Sequence, residues 1–155
     1  VSFFSPVNVD CFHEQSVISY DPVPRGDFEQ HILEPLYCSV NDIVPLVNFE
    51  PHRLSVFYMV LGTGALFDSH PNARIIAEQY HAFACATYSL ESIVSGATCA
   101  SIQTLLMMAH FLFLTDRSGN ERRWLLKGLC TKVIQMVGKS RPYLSMESDG
   151  PAVIR

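Results

Sequence analysis

The chain has 155 residues, 48% of them hydrophobic and 17% charged, with a formal net charge of -4. That length suits one domain, and the charge fraction lies below the roughly 25% usual for an independent soluble domain, which predicts packing against further protein. The acidic balance excludes a basic nucleic-acid footprint over the whole chain, although Arg117, Arg122, Arg123, Lys127, Lys132, Lys139 and Arg141 crowd its last third.

Residues 1–50 read as an irregular lead-in with one short helix. Val17 to Tyr20 could form a short strand. Asp27 is placed to cap a helix from about Phe28 to Cys38, with Phe28, Ile32, Leu33, Leu36 and Tyr37 at helical spacing and Pro35 near its end. Val40 to Glu50 carries Asn41, Asp42, Pro45 and Asn48, a loop with a helical turn at Ile43 to Val47.

Residues 51–138 read as a helical core. Pro51 suits a first helical position, and His52 to Phe67 follows as a mostly buried helix. Gly62 and Gly64 each weaken a helix by about 1 kcal/mol relative to Ala, so their expected use is close approach of a neighbouring helix. Asp68-Ser-His-Pro-Asn is the stop. Next, Ile76, Tyr80, Phe83, Thr87, Leu90 and Val94 recur at three- and four-residue intervals, which predicts an amphipathic helix from Asn72 or Ala73 to a left-handed cap at Ser95-Gly96. Thr98 to Thr115 is nearly all apolar and uncharged, too short to span a bilayer comfortably. It is expected to be the buried central helix, capped by Thr98. Asp116-Arg-Ser-Gly-Asn is a turn, with Asn120 as the cap of a last helix that points Leu125, Leu129, Val133, Met136 and Val137 inward and ends at Gly138. Residues 139–155 form an unstructured tail.

The predicted fold is therefore all-α, an antiparallel array of helices joined by short connections, in roughly tetratricopeptide-like pairs without a legible repeat consensus. Five dispersed cysteines without a Cys-x-x-Cys pair predict reduced thiols in an intracellular protein. The chain opens on Val1 without a signal-peptide pattern and reads as a piece of a longer product.

Four segments together carry a family resemblance: Pro51-His-Arg-Leu-Ser-Val-Phe-Tyr-Met-Val-Leu-Gly-Thr-Gly-Ala-Leu-Phe-Asp, Ala77-Glu-Gln-Tyr-His-Ala-Phe-Ala, Ser101-Ile-Gln-Thr-Leu-Leu-Met-Met-Ala-His-Phe-Leu and Arg123-Trp-Leu-Leu-Lys-Gly-Leu-Cys-Thr-Lys-Val-Ile-Gln-Met-Val-Gly. In order and spacing they resemble the N-terminal part of the fungal-specific transcription factor domain, the middle homology region of fungal zinc-cluster transcription factors. Asp27 to Tyr37 resembles the acidic-aromatic segment before it. Where that family usually continues Gly-Leu-His-Arg-Asp, this chain reads Gly138-Lys-Ser-Arg-Pro.

The resemblance implies a nuclear, all-helical regulatory domain that controls transcription through protein contacts and a small effector, without touching DNA or membrane itself. It implies homodimerisation through the parent protein. It also implies zinc and DNA binding in a separate N-terminal module; this chain has no cysteine spacing for a six-cysteine cluster and no cofactor of its own. The alternative is a helical scaffold or interaction fragment without effector or catalysis.

Tyr58, Phe83 and His110 are the candidate lining of an effector pocket. His110 is otherwise a hydrogen-bonded core histidine, with Tyr58 or Tyr80 as partner. Arg122, Arg123 and Trp124 are the candidate interface, since arginine and tryptophan often dominate binding energy; otherwise Trp124 is a partly buried anchor. His81 and Cys85 share a helix face at the spacing of two metal ligands, yet read more simply as a surface histidine and a buried thiol. No nucleophile elbow, phosphate loop or His-Glu-x-x-His occurs, so an enzyme is not expected.

Overall fold

A computed structural model describes residues 9–14, 22–36, 50–94, 96–116 and 120–140, the last of these without the side chains of 120, 139 and 140. The expected strand at Val17 to Tyr20, the turn at Ile43 to Val47, the capping side chain of Asn120 and the tail beyond 140 lie outside the described residues.

Among the described residues the fold is all-α, with six helices and no strand. A short helix, α1, covers 9–14. The second, α2, opens as Arg25–Phe28, widens into a π-helical stretch at Glu29–Leu33 and closes over 34–36. Four long helices follow: α3 (Pro51–Ala65), α4 (Ala73–Tyr88), α5 (Cys99–Thr115) and α6 (Asn120–Ser140).

The start of α2 differs from expectation. Pro24 is the capping residue, and its carbonyl accepts from the Phe28 N–H at 3.0 Å. Asp27 sits inside the first turn, where its charge favours the positive end of the helix without a capping bond. Pro35 has no N–H to give the His31 carbonyl four residues back. Arg53 Nη1 donates to that carbonyl instead, at 3.3 Å, and ties α2 to α3.

Packing is dominated by α3 against α4, then α5 against α6, with α3 also lying on α5. The organising helix is α3 rather than the apolar run of α5. Eleven of its 15 residues are buried, against eight of 17 in α5. The reason is position: α3 has α2, α4 and α5 around it, whereas the last turn of α5 leaves Phe113 and Leu114 exposed.

Small residues make the closest contact. Gly62 faces α4 so tightly that a Cβ there would sit 3.2 Å from Tyr80 Cβ and 3.3 Å from the Ala77 carbonyl oxygen. The buried stripe of α4 is accordingly Ala73, Ala77, Tyr80 and Ala84. This displaces the stripe read from the sequence: Phe83 is 53% exposed, and Leu90 and Val94 are 74% and 84% exposed. Close approach wins over burial of the larger residues because alanines opposite a glycine let two backbones meet, and Ser55 Oγ then donates to the Ala84 carbonyl at 2.8 Å across the same seam. Helix α4 also stops earlier than expected, at Tyr88. Thr87 and Ser89 turn their hydroxyls back onto the Phe83, Ala84 and Ala86 carbonyls there, and Gly96 has no left-handed conformation.

Helix α5 begins where expected. Thr98 Oγ1 accepts from the Ser101 N–H at 3.3 Å, and Ser101 Oγ accepts from the Thr98 N–H at 3.1 Å, a reciprocal capping box. The lead-in joins the same interior: Val9, Phe12, Val23, Phe28 and Ile32 share one core with Val56, Met59, Val60, Met107 and Phe111. Gln103 Nε2 adds a bond to the Pro22 carbonyl at 3.1 Å. A second, smaller core of Leu105, Cys130 and Val133 joins α5 to α6.

Candidate interaction face on the last two helices

Among the described residues α6 packs mainly on α5, and it carries more apolar residues than that contact covers. At about 100° per residue, Leu126, Cys130, Val133 and Val137 fall within about 60° of one another, and Leu125, Leu129 and Met136 form an adjoining stripe. The first group meets α5: Cys130 and Val133 are buried, with Leu126 and Val137 packed beside them. The second group faces outward, with Leu125 62%, Leu129 41% and Met136 38% exposed. The expected inward set of Leu125, Leu129, Val133, Met136 and Val137 is thus rotated: among the described residues, Val133 and Val137 of that set join the core against α5. The sequence offered two overlapping stripes, and contact with α5 chose between them. Gly138 does not end the helix, which continues to Ser140 in ordinary helical backbone.

The N-terminal turns of α6 meet the end of α5 at a basic, aromatic corner. The Arg123 guanidinium lies over the Phe113 ring, 5.4 Å from its centroid. The His110 ring stacks near Phe113 at 6.3 Å. Leu106, Ala109, His110, Phe113, Arg123 and Lys127 line a cavity of about 240 Å³. Burial pushes the His110 pKa down, so the ring is neutral near pH 7 and the local positive charge comes from Arg123 and Lys127. A larger cavity, about 670 Å³, is lined among the described residues by Glu121, Arg123, Trp124, Leu125 and Lys127. Trp124 is 74% exposed, so it is no buried anchor.

The remaining candidates fall elsewhere. Tyr58 and Phe83 do meet, with ring centroids 5.5 Å apart, and Tyr80 stacks on Tyr58 at 6.4 Å. They sit at the α3–α4 seam, and the described lining of the His110 cavity contains neither of them. The His110 ring lies against that of Phe113. Arg122 is exposed, Arg123 half-buried, and the two point to different sides of α6. His81 stacks flat on Phe111 at 4.6 Å and joins α4 to α5; burial lowers its pKa. The Cys85 thiol, exposed and not buried as expected, lies 3.9 Å from His81 Nε2. No group of three metal-binding side chains occurs among the described residues. The four described cysteines are free thiols.

A polar cluster escaped the sequence reading. His52 is fully buried, its Nδ1 is 3.7 Å from Glu91 Oε2, and its ring lies 5.0 Å from that of Tyr88. Both His52 nitrogens and the Tyr88 hydroxyl lack a hydrogen-bond partner among the described residues. Burial, with a smaller contribution from Cys130, pushes the Tyr88 phenol up to about 12. No local pattern joins positions 52, 88 and 91; only the helix packing does.

No family model, curated protein or solved structure matches the chain. Among the described residues, no helix is long and apolar enough to cross a membrane.

Proposed function

We propose that this chain is a regulatory helical domain of a transcription factor of the fungal zinc-cluster kind, acting through protein contacts and not through DNA. The observation that carries the reading is the exposure of Leu125, Leu129 and Met136 along one face of α6, with the exposed Trp124 sharing a cavity lining with Leu125. Large apolar side chains aligned along one helix form the kind of surface that docks protein. The four sequence segments that resemble the middle homology region add to it, as does the fully helical architecture. We extend the architecture to stacked helical hairpins of the tetratricopeptide type: α3 with α4 and α5 with α6, with α3 against α5 joining the pairs. In this reading zinc and sequence-specific DNA contacts belong to a separate module of a nuclear parent protein, and that module also supplies dimerisation.

The scaffold alternative, without a small effector, has one observation in its favour. Tyr58 and Phe83 meet at the α3–α4 seam, and the described lining of the His110 cavity includes neither.

The test joins the chain to an unrelated DNA-binding module upstream of a reporter gene. Leu125→Glu with Leu129→Glu should change reporter output by several-fold at equal protein level, while Ile75→Glu, an exposed change on α4, should not. Equal output from all three proteins would sink the regulatory reading. So would sequence-specific DNA binding by the chain alone.

A further inference from the structure

The partner's chemistry can be read from the charges around the exposed stripe. On the helical wheel Arg122 lies on one side of Leu125, Leu129 and Met136, and Lys132 lies on the other, at about 40° each from the stripe's centre. Both are exposed. Among the described residues neither takes part in an ion pair, whereas Arg25, Arg53 and Arg74 each have a carboxylate within 3.2 Å. The sole described carboxylate on α6 is Glu121, in its first turn. Lys127 adds a further exposed cation on the side of the neighbouring cavity. The surface is an apolar strip between two unpaired cations, and it runs from position 125 to 136, about 16 Å of helix.

We propose that this face of α6 binds an amphipathic helix with acidic flanks, its apolar side on Leu125, Leu129 and Met136 and its carboxylates against Arg122 and Lys132. This rests on the docking reading above and names its partner class. A helix laid along a helix uses apolar anchors one and two turns apart along one face; Leu125, Leu129 and Met136 supply them at i, i+4 and i+11, with Lys132 at i+7. Complementary charge sets orientation and selectivity, and speeds association. A second copy of the chain fits less well. Two α6 faces brought together would set Arg122 and Lys132 of both copies around one apolar strip, with only Glu121 among the described side chains of α6 as counter-charge.

Trp124 is the single tryptophan of the chain and lines one cavity with Leu125, so its emission reports binding at the N-terminal end of the strip. The full chain would be titrated with three synthetic helical peptides of about 14 residues that share one apolar stripe and differ in their flanks: glutamate, glutamine or lysine. The glutamate peptide should shift Trp124 emission to the blue and bind at least about tenfold tighter than the lysine peptide, with the difference shrinking towards 1 M salt. Arg122→Glu with Lys132→Glu should reverse that preference, and Arg122→Lys with Lys132→Arg should retain it. These side chains are exposed, so the variants should keep the wild-type helical circular dichroism. Equal binding of all three peptides would overturn the acidic-partner inference and leave the docking reading standing. Binding by none, with sedimentation showing a dimer that dissociates on Leu125→Glu, would overturn it in favour of a second copy. Binding by none with a monomeric chain would overturn the inference as well, and the reporter test would then decide the docking reading on its own.

Discussion

Gly62→Ala should destabilise the protein although it improves the helix. Alanine in a helix interior is worth about 1 kcal/mol over glycine. At Gly62 the new methyl would lie 3.2 Å from Tyr80 Cβ and 3.3 Å from the Ala77 carbonyl oxygen. Neither can swing away, since one is fixed to the α4 backbone and the other is part of it. Helix α4 must move by a few tenths of an ångström, and strain of that kind typically costs about 1–3 kcal/mol. The net loss should be up to about 2 kcal/mol. Gly128→Ala is the matched control: Gly128 also lies inside a helix, and nothing comes within 4 Å of its Cβ position. That variant keeps the propensity gain without the strain and should be stabilised by about 1 kcal/mol. Urea unfolding at equal m-value, followed by circular dichroism, reads both changes as shifts in midpoint of opposite sign. If the two variants moved up by the same amount, the α3–α4 seam would not be held by close backbone approach, and the account of why the alanine stripe beats the Phe83 stripe would fail.

Other consequences follow from single sites. Thr98→Ala removes one half of the α5 capping box and should cost about 1 kcal/mol, with amide exchange accelerated first at Ser101. His52→Leu replaces a fully buried ring with two unpartnered nitrogens by an apolar side chain, so it should be neutral or stabilise by about 1 kcal/mol, whereas His52→Ala leaves a cavity and should lose about 2–3 kcal/mol in thermal or urea unfolding. The Tyr88 phenol, at about 12 when folded against about 10 when unfolded, keeps its proton longer in the native state. The native state then binds more protons than the unfolded one between those values, so stability present below pH 10 is lost as pH rises towards 12, and Tyr88→Phe should flatten that fall. His81 works in the opposite direction: burial lowers its pKa, the unfolded chain takes up the proton first, and stability falls as pH drops through about 6.5; His81→Phe should remove that slope while keeping the stack on Phe111.

The sequence by itself determined the helices and most of their starts. Pro51 at a first position and Thr98 as a cap are local signals that depend on few neighbours, and each lies where such signals place it, while α3 ends at Ala65, two residues before the expected Phe67. Only the tertiary structure decided which face of each helix was buried. In α4 Phe83 looked like part of the core stripe, yet the alanines won because Gly62 lay opposite them, and Leu90 and Val94 fell beyond the helix end at Tyr88. In α6 two overlapping apolar stripes were legible, and the choice between them came from the placement of α5. Trp124 and Arg123 stood out in the sequence as an interface, but the adjoining Leu125, Leu129 and Met136 were assigned to the interior. The His52–Tyr88–Glu91 cluster was illegible for the same reason. Helical periodicity is a property of one segment, whereas burial belongs to pairs of segments, and a helix with more apolar surface than one neighbour can cover leaves its exposed side to be settled by whatever packs against it.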